Sequence, residues 1–199
     1  NSKLIETSKL NKAKIYQFNL PAYKTESGKI TCPYASDCVK YCYASKGTFR
    51  FKNVQNKYNK NYNLSLIPEF IDLINIEIKQ FKPSHIRIHS SGDFYSIDYL
   101  LKWITIAADN PEVIFYRYTK SIPFFKHHKI KPMLNQLSNF KFVFSTGSKK
   151  DNLINFNKDY HAVIFDNKND LLNAGYIDAS KNDLIAINPD NNKIGLIYH

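Results

Sequence analysis

The apolar and polar positions of this chain fall into two alternating rhythms, one of period two and one of helical period. Residues 14–22 (KIYQFNLPA) alternate and stop at Pro21, which reads as a short strand. Residues 51–63 (FKNVQNKYNKNYN) are polar and read as helical at their start. Residues 66–81 (LIPEFIDLINIEIKQF) set Phe70, Ile71, Ile74 and Ile78 on one stripe, the mark of an amphipathic helix, with Pro68 and Glu69 in its first turn. Residues 85–93 (HIRIHSSGD) return to period two and end in a glycine turn. Residues 96–110 open on Ser96, a capping residue, and carry Leu100, Leu101, Ile104 and Ala107 at helical spacing. A strand over 112–121 (EVIFYRYTKS) follows, then a helix over 123–138 broken near Pro132. A strand over 140–148 (FKFVFSTGS) has another glycine end. Residues 160–166 (YHAVIFD) give a fifth strand, and the tail gives short strands around the turn NPDNN.

This rhythm of about 30 residues per strand and helix predicts right-handed βαβ units and a mainly parallel sheet. No linker interrupts it, so residues 1–199 read as a single α/β domain with an irregular tail over 160–199. The strand faces refine the picture. Ile86 and Ile88 share one face, with Arg87, His89 and Ser91 on the other; Phe115 and Arg117 oppose Tyr116, Tyr118 and Lys120. A strand sandwiched between two helix layers is apolar on both faces. These are not. The expected fold is therefore a curved, mainly parallel sheet or partial (βα) barrel, with helices outside and a polar lumen inside. In such a barrel the loops at the strand C-termini carry the chemistry.

Composition adds a sizeable core: 43% of residues are hydrophobic and 15% aromatic. No apolar run approaches ~18 residues, so no membrane span is expected. The N-terminus lacks the apolar run of a secretory signal, and the expected location is the cytoplasm. The net charge of +11 favours polyanionic partners, nucleic acid among them, although the basic residues are dispersed. The Lys-, Asn- and Tyr-rich stretch 51–63 reads first as a solvated helix face, with contact to a nucleic-acid backbone or base as the other reading.

All three cysteines stand in residues 31–47, TCPYASDCVKYCYASKG, with the spacing C-x5-C-x3-C. An odd number of close thiols argues against a disulfide framework. Zinc usually takes four ligands and C-x2-C pairs. Here a fourth ligand would come from His85, His89, His127, His128, His161 or an acid. Three thiolates also suit an iron–sulfur cluster with one iron left open. The third reading is three unrelated buried thiols.

The cysteine stretch, with RFKNV, RIHSSGDFYS, WITIA and FYRYTKS, resembles the phage and plasmid family called gene product 88, over roughly residues 18–150. The layout also resembles the radical S-adenosylmethionine (SAM) enzymes, in which a three-cysteine loop follows the first barrel strand; their gaps are commonly three and two residues, where this chain has five and three. The resemblance implies that Cys32, Cys38 and Cys42 hold a [4Fe-4S] cluster, with Tyr41 the aromatic before the last cysteine. It implies that Ser90, Ser91, Gly92 and Asp93 bind SAM, Asp93 through its amino group, and that Ser145, Thr146 and Gly147 face its ribose or carboxylate. Arg87, His89, Arg117, Tyr118 and Lys120 would then contact SAM or substrate in the lumen, and reductive cleavage of SAM would act on a nucleic-acid, nucleotide or other substrate.

Other readings stand beside this one. Asp93 is also a candidate helix cap, and the two glycine turns are candidate phosphate cradles without a full nucleotide motif. His89 and Asp93 with a metal would suit a hydrolase. A basic, non-enzymatic nucleic-acid-binding or host-interaction protein with structural zinc or iron is the alternative function.

Overall fold

Alternation along the strands commits one sheet face to aromatic and aliphatic side chains, and that commitment determines where the helices go. The structure is a computed structural model that describes residues 3–10, 13–40, 42–188 and 190–198. Its strands are β1 (Ile5–Leu10), β2 (Ala13–Phe18), β3 (His85–Ile88), β4 (Ile114–Thr119), β5 (Phe140–Ser145), β6 (His161–Phe165), β7 (Ile177–Asp178) and β8 (Lys193–Ile197). Among the described residues they join one eight-stranded sheet in the order β1-β2-β3-β4-β5-β6-β8-β7. Only β1 runs antiparallel to its neighbour; every other pairing is parallel. The fold is thus mixed α/β with a mostly parallel sheet.

Parallel strands laid down in chain order, joined by crossovers of one hand, put their helices on one face. The helices are α1 (Lys52–Leu66), α2 (Phe70–Phe81), α3 (Ile97–Asp109), α4 (Ile122–Phe125), α5 (Ile130–Asn135) and α6 (Lys168–Asn173). The main core joins Phe18, Ile86, Ile88, Phe115, Phe140 and Phe144 of the sheet to Phe70, Ile74 and Ile78 of α2, Leu100, Trp103 and Ala107 of α3, and Phe125, Ile130 and Leu134 of α4 and α5. Trp103 sits at its centre, with ring centroids 5.5 Å from Phe18 and 5.7 Å from Phe70. A smaller cluster on the opposite face gathers Val143, Ala162 and Ile194 with Ala179 and Ala186 of the C-terminal segment.

Several expected boundaries move for local reasons. Leu66 ends α1 instead of opening α2, because Ile67 precedes Pro68 and is extended (φ −77°, ψ 154°). Helix α1 continues to Leu66, beyond the expected helical start of 51–63; its buried stripe is Tyr58, Asn61, Tyr62 and Ser65, polar and aromatic instead of aliphatic. The helix over 123–138 does break, but between α4 and α5. Pro132 lies in the first turn of α5, where no helical N–H is lost. Strand β1 was not anticipated. It is tied down by Glu77 of α2, whose buried carboxylate accepts from Lys3 N (2.8 Å) and Leu4 N (2.7 Å).

Two residues expected in the lumen lie on the helix side of the sheet, His89 against alternation and Arg117 in keeping with it. His89 follows β3 with φ 67°, which turns its ring into the helix-side core against Phe94, Tyr99 and Trp103. Arg117 lies 3% exposed on the same side, its guanidinium 5.3 Å from the Phe94 ring. Among the described residues no helix is long and apolar enough to cross a membrane.

Phe18, fully buried between Phe70 and Trp103, tests this layer. Phe18→Ala is expected to cost about 3–5 kcal/mol in equilibrium urea unfolding. Ile76→Ala, at a position 59% exposed, is expected to change stability by less than about 0.5 kcal/mol.

Candidate functional site

The C-terminal ends of β2 to β5 form a rim, and each end is held by groups from its neighbours. Asn19, just past β2 and 1% exposed, orients the turn after β3: its Oδ1 accepts from Ser90 N (2.7 Å) and Ser91 N (3.3 Å), and its Nδ2 donates to the Tyr58 hydroxyl (3.1 Å). Leu20 N donates to Ser91 O at 3.0 Å. The approach is closest at Gly92, where φ is +81° and an added Cβ would stand 2.6 Å from Leu20 Cβ. Only glycine meets both conditions.

Asp93 locks this turn to β4. Its Oδ1 accepts from Phe94 N (2.6 Å) and the Thr119 hydroxyl (2.8 Å), and its Oδ2 from Lys120 N (2.8 Å). Arg117 Nη2 lies 2.5 Å from Oδ1, and both side chains are almost wholly buried. The same guanidinium donates to the carbonyls of Ile88 (2.9 Å) and His89 (3.3 Å). Asp93 is therefore neither the cap of α3, whose capping hydroxyl is Ser96 Oγ accepting from Tyr99 N at 3.1 Å, nor a carboxylate free for metal chemistry.

The cysteine loop is strapped across the rim by backbone groups. At its start, Thr31 O accepts from Asp93 N (3.0 Å) and Thr31 Oγ1 donates to Pro21 O (2.6 Å). Further on, Ser36 N donates to Gly147 O (3.2 Å), Lys149 N donates to Tyr34 O (2.9 Å), and Ala35 bridges Ser148. The turn over 145–148, expected to face a cofactor, thus holds the loop: Gly147 N and Ser148 N donate to Asp151 (2.8 and 2.9 Å), and Thr146 N continues the ladder to Ala162 O at 2.9 Å.

Between loop and sheet lies a cavity of ≈ 400 Å³. Cys32, Cys38 and Cys42 line it, with Ser90, Ser91, Gly92, Asp93 and Ser145, and with Arg87, His89, Arg117, Tyr118 and Lys120. Thr146 and Gly147 do not, and Tyr41 lies outside the described residues. Residues that the sequence pattern did not single out complete the wall: Tyr43 of the cysteine loop, Ile164, and Ser180, Asp183, Leu196, Ile197 and Tyr198 of the C-terminal segment. No local signal marks Asp183, which stands in a stretch rich in Asn and Asp, or Asn19, which ends an ordinary strand pattern; each acquires its role through contacts distant in sequence.

All three cysteines are free thiols. Burial, reinforced by the Asp93 carboxylate, pushes the Cys32 thiol up to about 12. At neutral pH that thiol is therefore held protonated, the form that is not the nucleophile. Burial also raises Cys38, while the Lys120 ammonium pulls it down. A bound cation would be what holds these sulfurs as thiolates. Thiolates are donors that zinc and iron–sulfur centres take, and the three cysteines share one cavity. Among the described residues, no group of three or more His, Cys, Asp or Glu side chains already stands together at metal-holding spacing. Of the histidines considered as a fourth ligand, His89 alone lines the cavity, and its Nε2 is engaged with the Tyr99 hydroxyl at 2.6 Å. His161 is buried and bonds Tyr176 (3.0 Å), and His127 stacks near His128.

Removing one partner of a buried pair leaves the other charge uncompensated. Asp93→Ala is expected to cost about 3–5 kcal/mol, read as a lower urea midpoint. Gly92→Ala, strained in φ and clashing with Leu20, is expected to cost at least about 2 kcal/mol in the same measurement.

The gene 88 protein of Mycobacterium phage L5 is 31% identical to this chain over 102 residues, covering 45% of the chain and 43% of the relative. The gene 88 protein of Mycobacterium phage D29 is likewise 31% identical over 102 residues, covering 45% of the chain and 42% of the relative. The chain thus spans less than half the length of these curated relatives. No solved structure matches it. The family model described as gene product 88 matches residues 1–199, and the chain belongs to that family.

Proposed function

We propose that the chain is an iron–sulfur enzyme of the radical SAM kind, with its sheet wound as a partial barrel around the cavity. Cys32, Cys38 and Cys42 would hold the [4Fe-4S] cluster, and SAM and a substrate would share the cavity. The observation that carries this reading is that all three free thiols, delivered by one loop after β2, line a single cavity at the C-terminal ends of parallel strands laid down in chain order. When bound, such a cluster supplies the single electron that splits a sulfonium; the remaining tasks belong to the protein.

Each wall of the cavity has a task. The Asp93–Arg117 pair keeps the 90–93 turn in place, so Asp93 acts by positioning the turn and not by meeting a ligand. The Ser91 hydroxyl is buried without a partner in the protein and offers a hydrogen bond to a bound polar group. Lys120 donates to Ser145 Oγ at 2.7 Å and acts electrostatically on Cys38, which places a positive charge beside the thiols. Ile164, Leu196 and Ile197 form an apolar side that limits water.

Anaerobic incubation with iron and sulfide is expected to give brown protein with close to four irons and four acid-labile sulfides per chain, the stoichiometry of a [4Fe-4S] centre. Cys38→Ala is expected to lose both. With a reductant and SAM, the loaded protein is expected to release deoxyadenosine. Colourless protein holding one zinc per chain, or a cluster that survives Cys38→Ala, would overturn the reading. A loaded cluster that never cleaves SAM would remove the enzymatic half.

A further inference from the structure

Below the cysteine rim, the inner sheet face carries a polar group whose hydrogen bonding is incomplete. Arg87 of β3 lies with its guanidinium 5.8 Å from the ring of Tyr118 on β4. Its Nη1 donates to Asp183 of the C-terminal segment. Arg87 Nε and the Tyr118 hydroxyl are both shielded from solvent and have no partner in the protein, and both residues line the cavity. Buried donors left in this state are rare, and two on one wall mark a place for acceptor atoms.

The charges agree. Among the described residues the cavity is lined by Arg87, Arg117 and Lys120 against Asp93 and Asp183, three positive charges against two negative. Arg117 is committed to Asp93, and Lys120 donates to the neutral hydroxyl of Ser145. Asp183 meets Arg87 through one nitrogen only, with both side chains about a quarter exposed (24% each). A guanidinium fork suits an oxyanion bound through two parallel N–H bonds, so this single contact leaves the better arrangement unused.

The C-terminal segment does not depend on that contact for its place. Ala179, Ala186 and Ile185 pack against Val143, Ala162 and Ile194, and Ala179 N donates to Gly195 O of β8 at 3.0 Å. Asp183 can therefore yield Arg87 while its segment stays docked.

We propose that Arg87, with Tyr118 and Lys120, binds a carboxylate or phosphate group of the substrate, and that Asp183 is an internal carboxylate that occupies Arg87 until that group arrives. This deepens the reading above by naming a substrate class. It is tested on protein without iron or sulfide, so its outcome is independent of cluster assembly. Wild type, Asp183→Asn and Arg87→Gln are titrated calorimetrically with sodium phosphate and, separately, with sodium benzoate at matched ionic strength. Asp183→Asn is expected to bind at least one probe about fivefold tighter than wild type, the size of a partly exposed ion pair. Arg87→Gln is expected to lose that binding. The preferred probe states which oxyanion the site takes. Should Asp183→Asn fail to fold, the wild-type melting temperature is followed against phosphate and benzoate, with a rise expected that Arg87→Gln lacks. Equal affinity in wild type and Asp183→Asn, wild-type affinity in Arg87→Gln, or no ligand-dependent rise in melting temperature would overturn the proposal.

Discussion

The buried pair between Asp93 and Arg117 is the interaction on which the rest of the site depends. Two charges removed from water are costly, and their attraction repays that cost only when every remaining lone pair and N–H finds a partner. Here most do. Asp93 takes three further donors from Phe94, Thr119 and Lys120, and Arg117 reaches the carbonyls of Ile88 and His89. The pair thereby joins the end of β3 to the end of β4 and fixes a turn that is left-handed in two places, at a cost at His89 (φ 67°) and without one at Gly92 (φ +81°). Because Asp93 N also holds Thr31 O at 3.0 Å, the same residue fixes where the cysteine loop begins. Rim, turn and loop are one mechanical unit.

Much of the sheet was legible because its cause is local. Strand faces such as Ile86 and Ile88 against Arg87, or Phe115 against Tyr116 and Tyr118, follow from period-two geometry. The stripe of α2 and the Ser96 cap of α3 were equally plain. Where periodicity failed, a specific residue overrode it. The positive φ at His89 ended the alternation one residue before the turn, and a sequence pattern carries no sign of that dihedral. Arg117 was expected to contact SAM or substrate in the lumen. The structure satisfies it with carbonyls and a carboxylate on the helix side instead.

The site divides in the same way. Clustering of all the cysteines in one stretch was visible, as was the polar character of the turns that follow β3 and β5. What was not visible was that the second turn restrains the loop and that the C-terminal segment closes the cavity. Both depend on pairs far apart in sequence, such as Ala35 with Ser148 and Arg87 with Asp183. Such contacts arise from topology, which residue type alone does not encode. The strap on the cysteine loop also uses main-chain atoms, so the residue types at positions 34, 36 and 147 leave no signature of it.

The strand order has a consequence in time. β8 is made after β7 yet lies between it and β6, and Leu196, Ile197 and Tyr198 at its end supply one wall of the cavity. A chain emerging from the ribosome therefore presents its three thiols and its glycine turn before that wall exists. During synthesis the chamber stays open along one flank until β8 slots in between β6 and β7.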